Sequence, residues 1–272
     1  MSYETRNEGM WEAIDRNREF MKCPDFNAAV PESDQDKKLP QPPLCNAAKG
    51  DIISIKADFN DVLKNTLYTS LLDIRRSERV FDKDAQLTQN QLAFLLWSTQ
   101  GIQQIRGANY ATLRPVPSGG ARHAFETYFI AQNIEGLKQG VYHYLPLEHI
   151  GDKQVAIEFM RELPDMENTV TDMLSGQRWA SRAPVVILYS CVAYRAEWRY
   201  NAFAHRVVLI DAGHVGQNLM LSAAAIGFGS CCMAAYDQTL CDKILNLEGY
   251  EEYTVYTCAI GKIRNKNISK NL

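Results

Sequence analysis

Arg75-Arg76-Ser77-Glu78-Arg79 gathers three guanidinium groups and a hydroxyl into five residues. On a helix, Arg75 and Arg79 would stand four apart on one face, with Arg76 three from Arg79. Planar guanidiniums grip phosphate through paired hydrogen bonds, so the stretch reads as a seat for a phosphate-bearing ligand. Its plainer reading is a solvated, charged helix end with Asp73 and Glu78 as local partners. The flanking sequence decides between the two.

Upstream, Asp58 or Asn60 can cap a helix running through Leu72 that delivers the cluster. Residues 1–50 read as an extension, and 51–272 as the globular body. Half of the ten prolines fall at or before Pro43. Pro40-Gln41-Pro42-Pro43 excludes regular helix or a central strand. A short helix fits Glu8 to Met21.

Downstream, Thr88-Gln89-Asn90-Gln91 has capping-box form. Leu92, Leu95, Leu96 and Thr99 follow at helical spacing until Gly101. A polar loop then runs to Gly120. Strands are expected over His123 to Gln132 and Val141 to Tyr144, and helices over 152–162 and 165–174. Pro184 opens an apolar strand, Val185 to Val192. A long helix spans Phe203 to Ile226, and Gly227-Phe228-Gly229 ends it. A short strand follows over Ser230 to Ala234, then a helix capped by Asp237 and reaching Leu247. A last strand, Tyr253 to Ile260, leads into the basic tail Lys262 to Lys266. The expected class is α+β, with a central, mostly antiparallel sheet of four to five strands flanked by helices.

The chain has 272 residues, 46% hydrophobic and 22% charged, enough for a sizeable core. A formal net charge of −3 gives no case for a nucleic-acid binder, and the one dense basic cluster suits a small anion. Met1 to Cys23 lacks the continuous apolar core of a signal peptide, so a cytoplasmic setting is expected. Val215 to Tyr236 carries no charge and is long enough to span a bilayer. Its polar residues and three glycines fit a buried helix running into a strand better. The seven cysteines are odd in number, with no C-x-x-C pair, which points to reduced, buried thiols rather than disulfides or zinc. No His pairs with a second His or Cys at ligand spacing, so no metal is expected. G-x-S-x-G, P-loop and G-x-G-x-x-G patterns are missing.

Five segments in order carry a resemblance. They are Arg75 to Phe81; Leu95-Leu96-Trp97-Ser98-Thr99-Gln100-Gly101; Pro115-Val116-Pro117-Ser118-Gly119-Gly120-Ala121-Arg122-His123; Gly140-Val141-Tyr142-His143-Tyr144; and Asp211 to Leu219 with Ile226-Gly227-Phe228-Gly229. Over about 68–264 the chain resembles the FMN-dependent nitroreductase-like superfamily, and within it the SagB-type dehydrogenase (azoline oxidase-like) branch. The resemblance implies a nitroreductase-like fold in an intertwined homodimer, with two FMN sites at the interface and residues from both subunits in each.

Carried over by position, Arg75, Arg76, Ser77 and Arg79 would hold the FMN phosphate and ribityl chain, completed by Lys262 and Arg264. The loop Pro117-Ser118-Gly119-Gly120 would meet the flavin ring from the partner subunit, small residues letting backbone approach a flat ring. Gln100 would lie near the ring, and a backbone N–H at Ala234 or Ala235 would face flavin N5. Each has a plainer reading: a solvated tail, a Gly-Gly turn, a helix terminus, a strand end. Azoline-oxidising relatives tend to carry a Lys-Tyr pair where this chain has Arg199-Tyr200. Arginine stays protonated and is a poor general base, while Tyr200 could donate a proton or simply pack.

The expected activity is FMN-dependent oxidoreduction, with NAD(P)H as transient reductant and a small acceptor such as a nitroaromatic or quinone. The alternatives are a dehydrogenase acting on a peptide azoline and a flavin-binding protein without turnover.

Overall fold

A computed structural model describes residues 8–22 and 31–264; Cys23 and the tail residues 265 and 266 lie outside them. The elements begin with α1 (Glu8–Met21), β1 (Ile52–Ile55), α2 (Phe59–Val62), α3 (Tyr68–Ile74), α4 (Gln89–Gln100), β2 (Gln104–Arg106) and β3 (Ala111–Leu113). They continue with β4 (Phe125–Ala131), β5 (Gly140–Tyr144), β6 (Val155–Arg161), α5 (Met166–Met173), β7 (Val185–Val192) and α6 (Ala193–Tyr200). The remainder are α7 (Ala204–Ala225), β8 (Gly229–Met233), α8 (Gln238–Leu245) and β9 (Glu252–Gly261).

Seven strands form one sheet in the order β1-β6-β5-β4-β7-β9-β8, every neighbouring pair antiparallel. β2 and β3 make a separate hairpin. The sheet is covered on both faces, and successive residues of each strand alternate between them. Phe129, Ala131, Val185, Ile187 and Tyr189 point to the face packed by α4 and α7. Tyr128, Ile130, Val186 and Leu188 point to the face packed by α5 and α8. Burial on both faces is why β7 is an unbroken apolar run rather than an alternating one.

The α+β class and the antiparallel sheet are as expected, but the sheet has seven strands, not four to five. Two were missed. The expected helix over 152–162 is strand β6, which sends Val155 and Ile157 into one core and Met160 toward the other, between β5 and β1. β1 lies just past the proline-rich segment and is mostly exposed, so it shows no buried pattern. The helix expected from Asp58 through Leu72 is broken. Lys64 and Asn65 donate their N–H groups to the carbonyl of Ala225, and α3 begins only after this turn. The uncharged stretch from Val215 divides into the end of α7, a turn at Gly227 and β8. Among the described residues no helix is long and apolar enough to cross a membrane.

Thr88 caps α4 as its sequence indicates. Its Oγ1 accepts from the N–H of Gln91 at 3.1 Å while the Gln91 side chain accepts from the N–H of Thr88. Thr88→Ala is expected to cost about 1 kcal/mol, read as a lowered urea midpoint at unchanged slope.

Candidate functional site

The arginine stretch is not helical. α3 stops at Ile74, and the N–H of Arg75 closes its last turn on the carbonyl of Leu71. The chain then runs extended along the sheet edge. Ser77 bridges to Ser230 of β8, the N–H of Glu78 donates to the carbonyl of Ser230 at 3.0 Å, and Phe81 pairs with Ile263. Close approach depends on Gly229: a Cβ there would fall 2.7 Å from Ile263 Cγ1 and 2.8 Å from Glu78 Cβ.

Arg75, Arg76, Glu78, Met220, Phe228 and Ser230 help line a cleft of about 140 Å³ at this edge. Arg76 Nη1 donates to the carbonyl of Arg75 at 2.9 Å, and Arg79 lies 5.8 Å over the Trp179 ring. Lys262 Nζ donates to the carbonyl of Gly227 at 3.3 Å. Among the described residues no carboxylate pairs with Arg75, Arg76, Arg79, Lys262 or Arg264. Cations without counterions beside a bare-glycine backbone fit a phosphate. Arg264 lines a different cleft, of about 440 Å³, with Asp82, Asp84 and Arg182.

β8 leads away from the cleft to Ala234 and Ala235, both exposed. Five residues of strand cover about 16 Å. The carbonyl of Ala235 accepts from Gln177 Nε2 at 2.8 Å.

The Pro117–Gly120 loop lies elsewhere in the chain. The N–H of Gly119 donates to both carboxylate oxygens of Asp211 on α7 at 3.2 Å. The arginine cleft touches Ala224, near the other end of α7. Met220 of α7 lines the cleft as well, so nine to thirteen residues of helix, about 14–20 Å, separate the two. Burial raises the Asp211 carboxyl above its usual range, against the hydrogen bonds from Ser118 and Gly119. Gly120 sits at φ 57°, and a Cβ there would fall 2.6 Å from Arg199 Nε and 2.7 Å from the Tyr200 hydroxyl. Ser118 accepts from the N–H of His123 at 2.9 Å, and Pro117 is exposed. Gln100 is buried, its Oε1 taken by Arg114 Nη1 at 2.6 Å.

One cluster escaped the sequence reading. His143 on β5 lies between Glu126 on β4 and Glu158 on β6, each ring nitrogen 3.0 Å from a carboxylate oxygen. Arg195 of α6 pairs with Glu126 at 2.6 Å, and all four side chains are buried. The free carboxylate capacity takes up backbone of the proline-rich segment. Glu126 accepts from the N–H of Asn46 at 2.6 Å, and Glu158 from the N–H groups of Lys49 and Gly50, both at 2.7 Å. Burial alone would lower the His143 pKa, but the two carboxylates outweigh it and raise it to about 9. Burial would raise Glu126, but Arg195 and His143 bring it down to about 2. Among the described residues no group of three or more His, Cys, Asp or Glu could hold a metal ion.

An antiparallel sheet with helices on both faces, with a cleft at its edge lined by Arg75 and Arg76, makes this an α+β protein. The chain belongs to the nitroreductase family, whose model matches residues 72–262. "Putative nitroreductase MJ1384" of Methanocaldococcus jannaschii is 28% identical over 180 residues, 65% of this chain and 82% of that protein. The microcin B17-processing protein McbC of Escherichia coli is 27% identical over 139 residues, 50% of this chain and 49% of McbC. The chain's match thus spans about half the length of that relative. A chain of the E. coli microcin synthetase McbBCD complex, solved with truncated pro-MccB17 bound, superposes with a TM-score of 0.57 at 20% identity, covering 96% of each chain. At that identity the likeness is one of fold.

Proposed function

We propose that the protein is an FMN-dependent oxidoreductase that takes electrons from NAD(P)H and passes them to a small acceptor such as a nitroaromatic or quinone. The observation that carries this is the edge cleft, whose arginines Arg75 and Arg76 have no carboxylate partner, in a chain of this family. Arg75, Arg76, Ser77 and Arg79 would hold the phosphate with Lys262, while Arg264 lines the neighbouring cleft and is left out of this seat. Amides at Ala234 and Ala235 would face the ring. Bound FMN would supply two-electron exchange. The chain's own residues fix the phosphate, support the ring and leave one face open to exchange partners.

Because about 14–20 Å of α7 separates the Pro117–Gly120 loop from the cleft, the loop, with Tyr200 beside it, would serve the site of a partner subunit. Exposed Leu209 and Ile210 on α7, and Leu72 and Ile74 on α3, support a homodimer. The division into an extension over 1–50 and a flavin-binding body over 51–272, and a cytoplasmic location, belong to the same proposal.

The test is the visible spectrum of the purified protein, with the released chromophore identified, followed by anaerobic NADH or NADPH. FMN near one per chain that bleaches with either donor is expected. A colourless protein that takes up no added FMN sinks the reading. Similarity to McbC favours a second reading, dehydrogenation of a peptide azoline, and Arg199 opposes it because it cannot accept a proton. Oxidation of a thiazoline peptide by the holoprotein would reinstate that reading.

A further inference from the structure

Cys232 and Cys258 stand directly opposite one another on β8 and β9. Both side chains point to the layer packed by α7, whereas Cys231 points to the other layer. In an antiparallel ladder, facing residues alternate between hydrogen-bonded and non-hydrogen-bonded pairs. The carbonyl of Ser230 accepts from the N–H of Glu78 on the outer edge of β8, so the backbone of Ser230 turns away from β9. Two residues on, Cys232 turns the same way. Cys232 and Cys258 are therefore a non-hydrogen-bonded pair, with Cα atoms about 4.5 Å apart. Disulfides span Cα separations of about 4.4–6.8 Å. Across such a ladder the Cβ atoms lie about 4.5–5.5 Å apart and would close to about 3.8 Å, a small movement of an edge strand.

The two thiols differ as an attacking and a resolving thiol must. Among the described residues Cys232 is the one cysteine that is not buried, while Cys258 is fully buried. The hydrogen bond from the Cys258 thiol lowers the Cys232 pKa, burial works against it, and the Tyr256 hydroxyl assists. Burial pushes the Cys258 thiol well above its usual range, and pushes Cys191 and Cys241 up to about 12. The thiolate is the reactive form, so Cys232 reacts first. Gly216 of α7 makes room for the group. A Cβ there would fall 2.5 Å from Tyr256 Cε1, and its carbonyl accepts from Cys232 Sγ at 3.8 Å.

We propose that Cys232 and Cys258 are a peroxide-responsive thiol pair that closes into a reversible cross-strand disulfide, tying β8 to β9 under oxidising conditions. Hydrogen peroxide passes one oxygen to the Cys232 sulfur, which loses two electrons and becomes a sulfenic acid as the O–O bond breaks and one water leaves. The Cys258 sulfur then attacks, the S–S bond forms, and the hydroxyl departs with the Cys258 proton as a second water. In sum two thiols lose two electrons and two protons, and one peroxide becomes two waters. A bridge that draws its strands together is strained, and strained disulfides are the readily reduced ones. The bridged strand is the one whose Ser230 pairs with the arginine stretch. The thiol pair stands on the sheet alone and is independent of the flavin reading.

The test uses the full chain, reduced with dithiothreitol, freed of it, and exposed to a small excess of hydrogen peroxide. Thiols counted afterwards in urea should fall from seven to five, and dithiothreitol should restore them. Mass spectrometry after trypsin should find residues 207–243 joined to residues 244–262. Cys232→Ser should abolish the link, whereas Cys231→Ser and Cys241→Ser should leave it. Cys258→Ser should instead hold Cys232 as a sulfenic acid that dimedone captures. A count that stays at seven overturns the proposal, and so does thiol loss without this link. A link that survives Cys232→Ser, joins two chains, or forms only after unfolding in urea overturns it equally.

Discussion

Glu126→Gln is expected to cost about 3–5 kcal/mol of folding stability, the range for breaking a buried ion pair by removing one partner. The amide fits the same space but leaves the guanidinium of Arg195, 3% exposed, without its counterion. Arg195 Nη1 already lacks a hydrogen-bond partner, so little in its surroundings can compensate. His143 loses one of its two carboxylates, and the N–H of Asn46 loses a charged acceptor. Urea unfolding of the two proteins measures the difference, and a loss below about 1 kcal/mol would mean the network is not the clamp described.

The same cluster gives a pH signature. His143 titrates near 6.5 when exposed and about 9 in the fold, so its contribution is complete below 6.5 and disappears as pH rises through about 9. Glu126 works oppositely: its contribution is complete above 4.5 and is lost as pH falls toward about 2. His143→Gln should therefore flatten the alkaline fall in thermal midpoint relative to the parent, and an unchanged fall would assign it to other groups.

The second large effect is on binding of the proposed cofactor. Arg75→Ala with Arg76→Ala should weaken FMN binding about a hundredfold to ten-thousandfold, since each charge-assisted contact to phosphate is worth about 1.5–3 kcal/mol. Arg76 is exposed and Arg75 half-buried, and neither forms an ion pair in the fold. Unfolding should thus shift by only about 0.5 kcal/mol. The informative outcome is the dissociation: colourless protein with an intact unfolding transition. Retained flavin in the double variant would place the phosphate elsewhere.

What the sequence disclosed follows from which forces are local. β7 was legible because Pro184 marks its start and both faces are buried. α4 was legible because Thr88 and Gln91 satisfy each other within one turn. α7 and β8 fell within a residue or two of their expected ends, since Gly227 must turn at φ 77°. β6 was misread because the neighbours that make it a strand, β5 and β1, come from other parts of the chain. α6 escaped because its buried positions include Arg195, a charge that hydrophobic periodicity counts as outside. The arginine stretch was found by composition with its backbone left open, because its extended form comes from pairing with Ser230 and Ile263, distant in sequence. His143 stood out in its motif, yet nothing local announced the carboxylates of Glu126 and Glu158 on the adjacent strands.

The length of α7 between Asp211 and Ala225 has a genetic consequence. In the proposed dimer each chain would donate its arginines to one site and its glycine loop to the other. A lesion in the arginines and a lesion such as Gly120→Val, each inactivating alone, would then fall in different complementation units. Co-expressed, half of randomly paired dimers would be mixed, and each mixed dimer would hold one intact site and one doubly damaged site. Two dead alleles of a single gene would together restore about a quarter of the normal activity, the signature of an isologous pairing with shared sites.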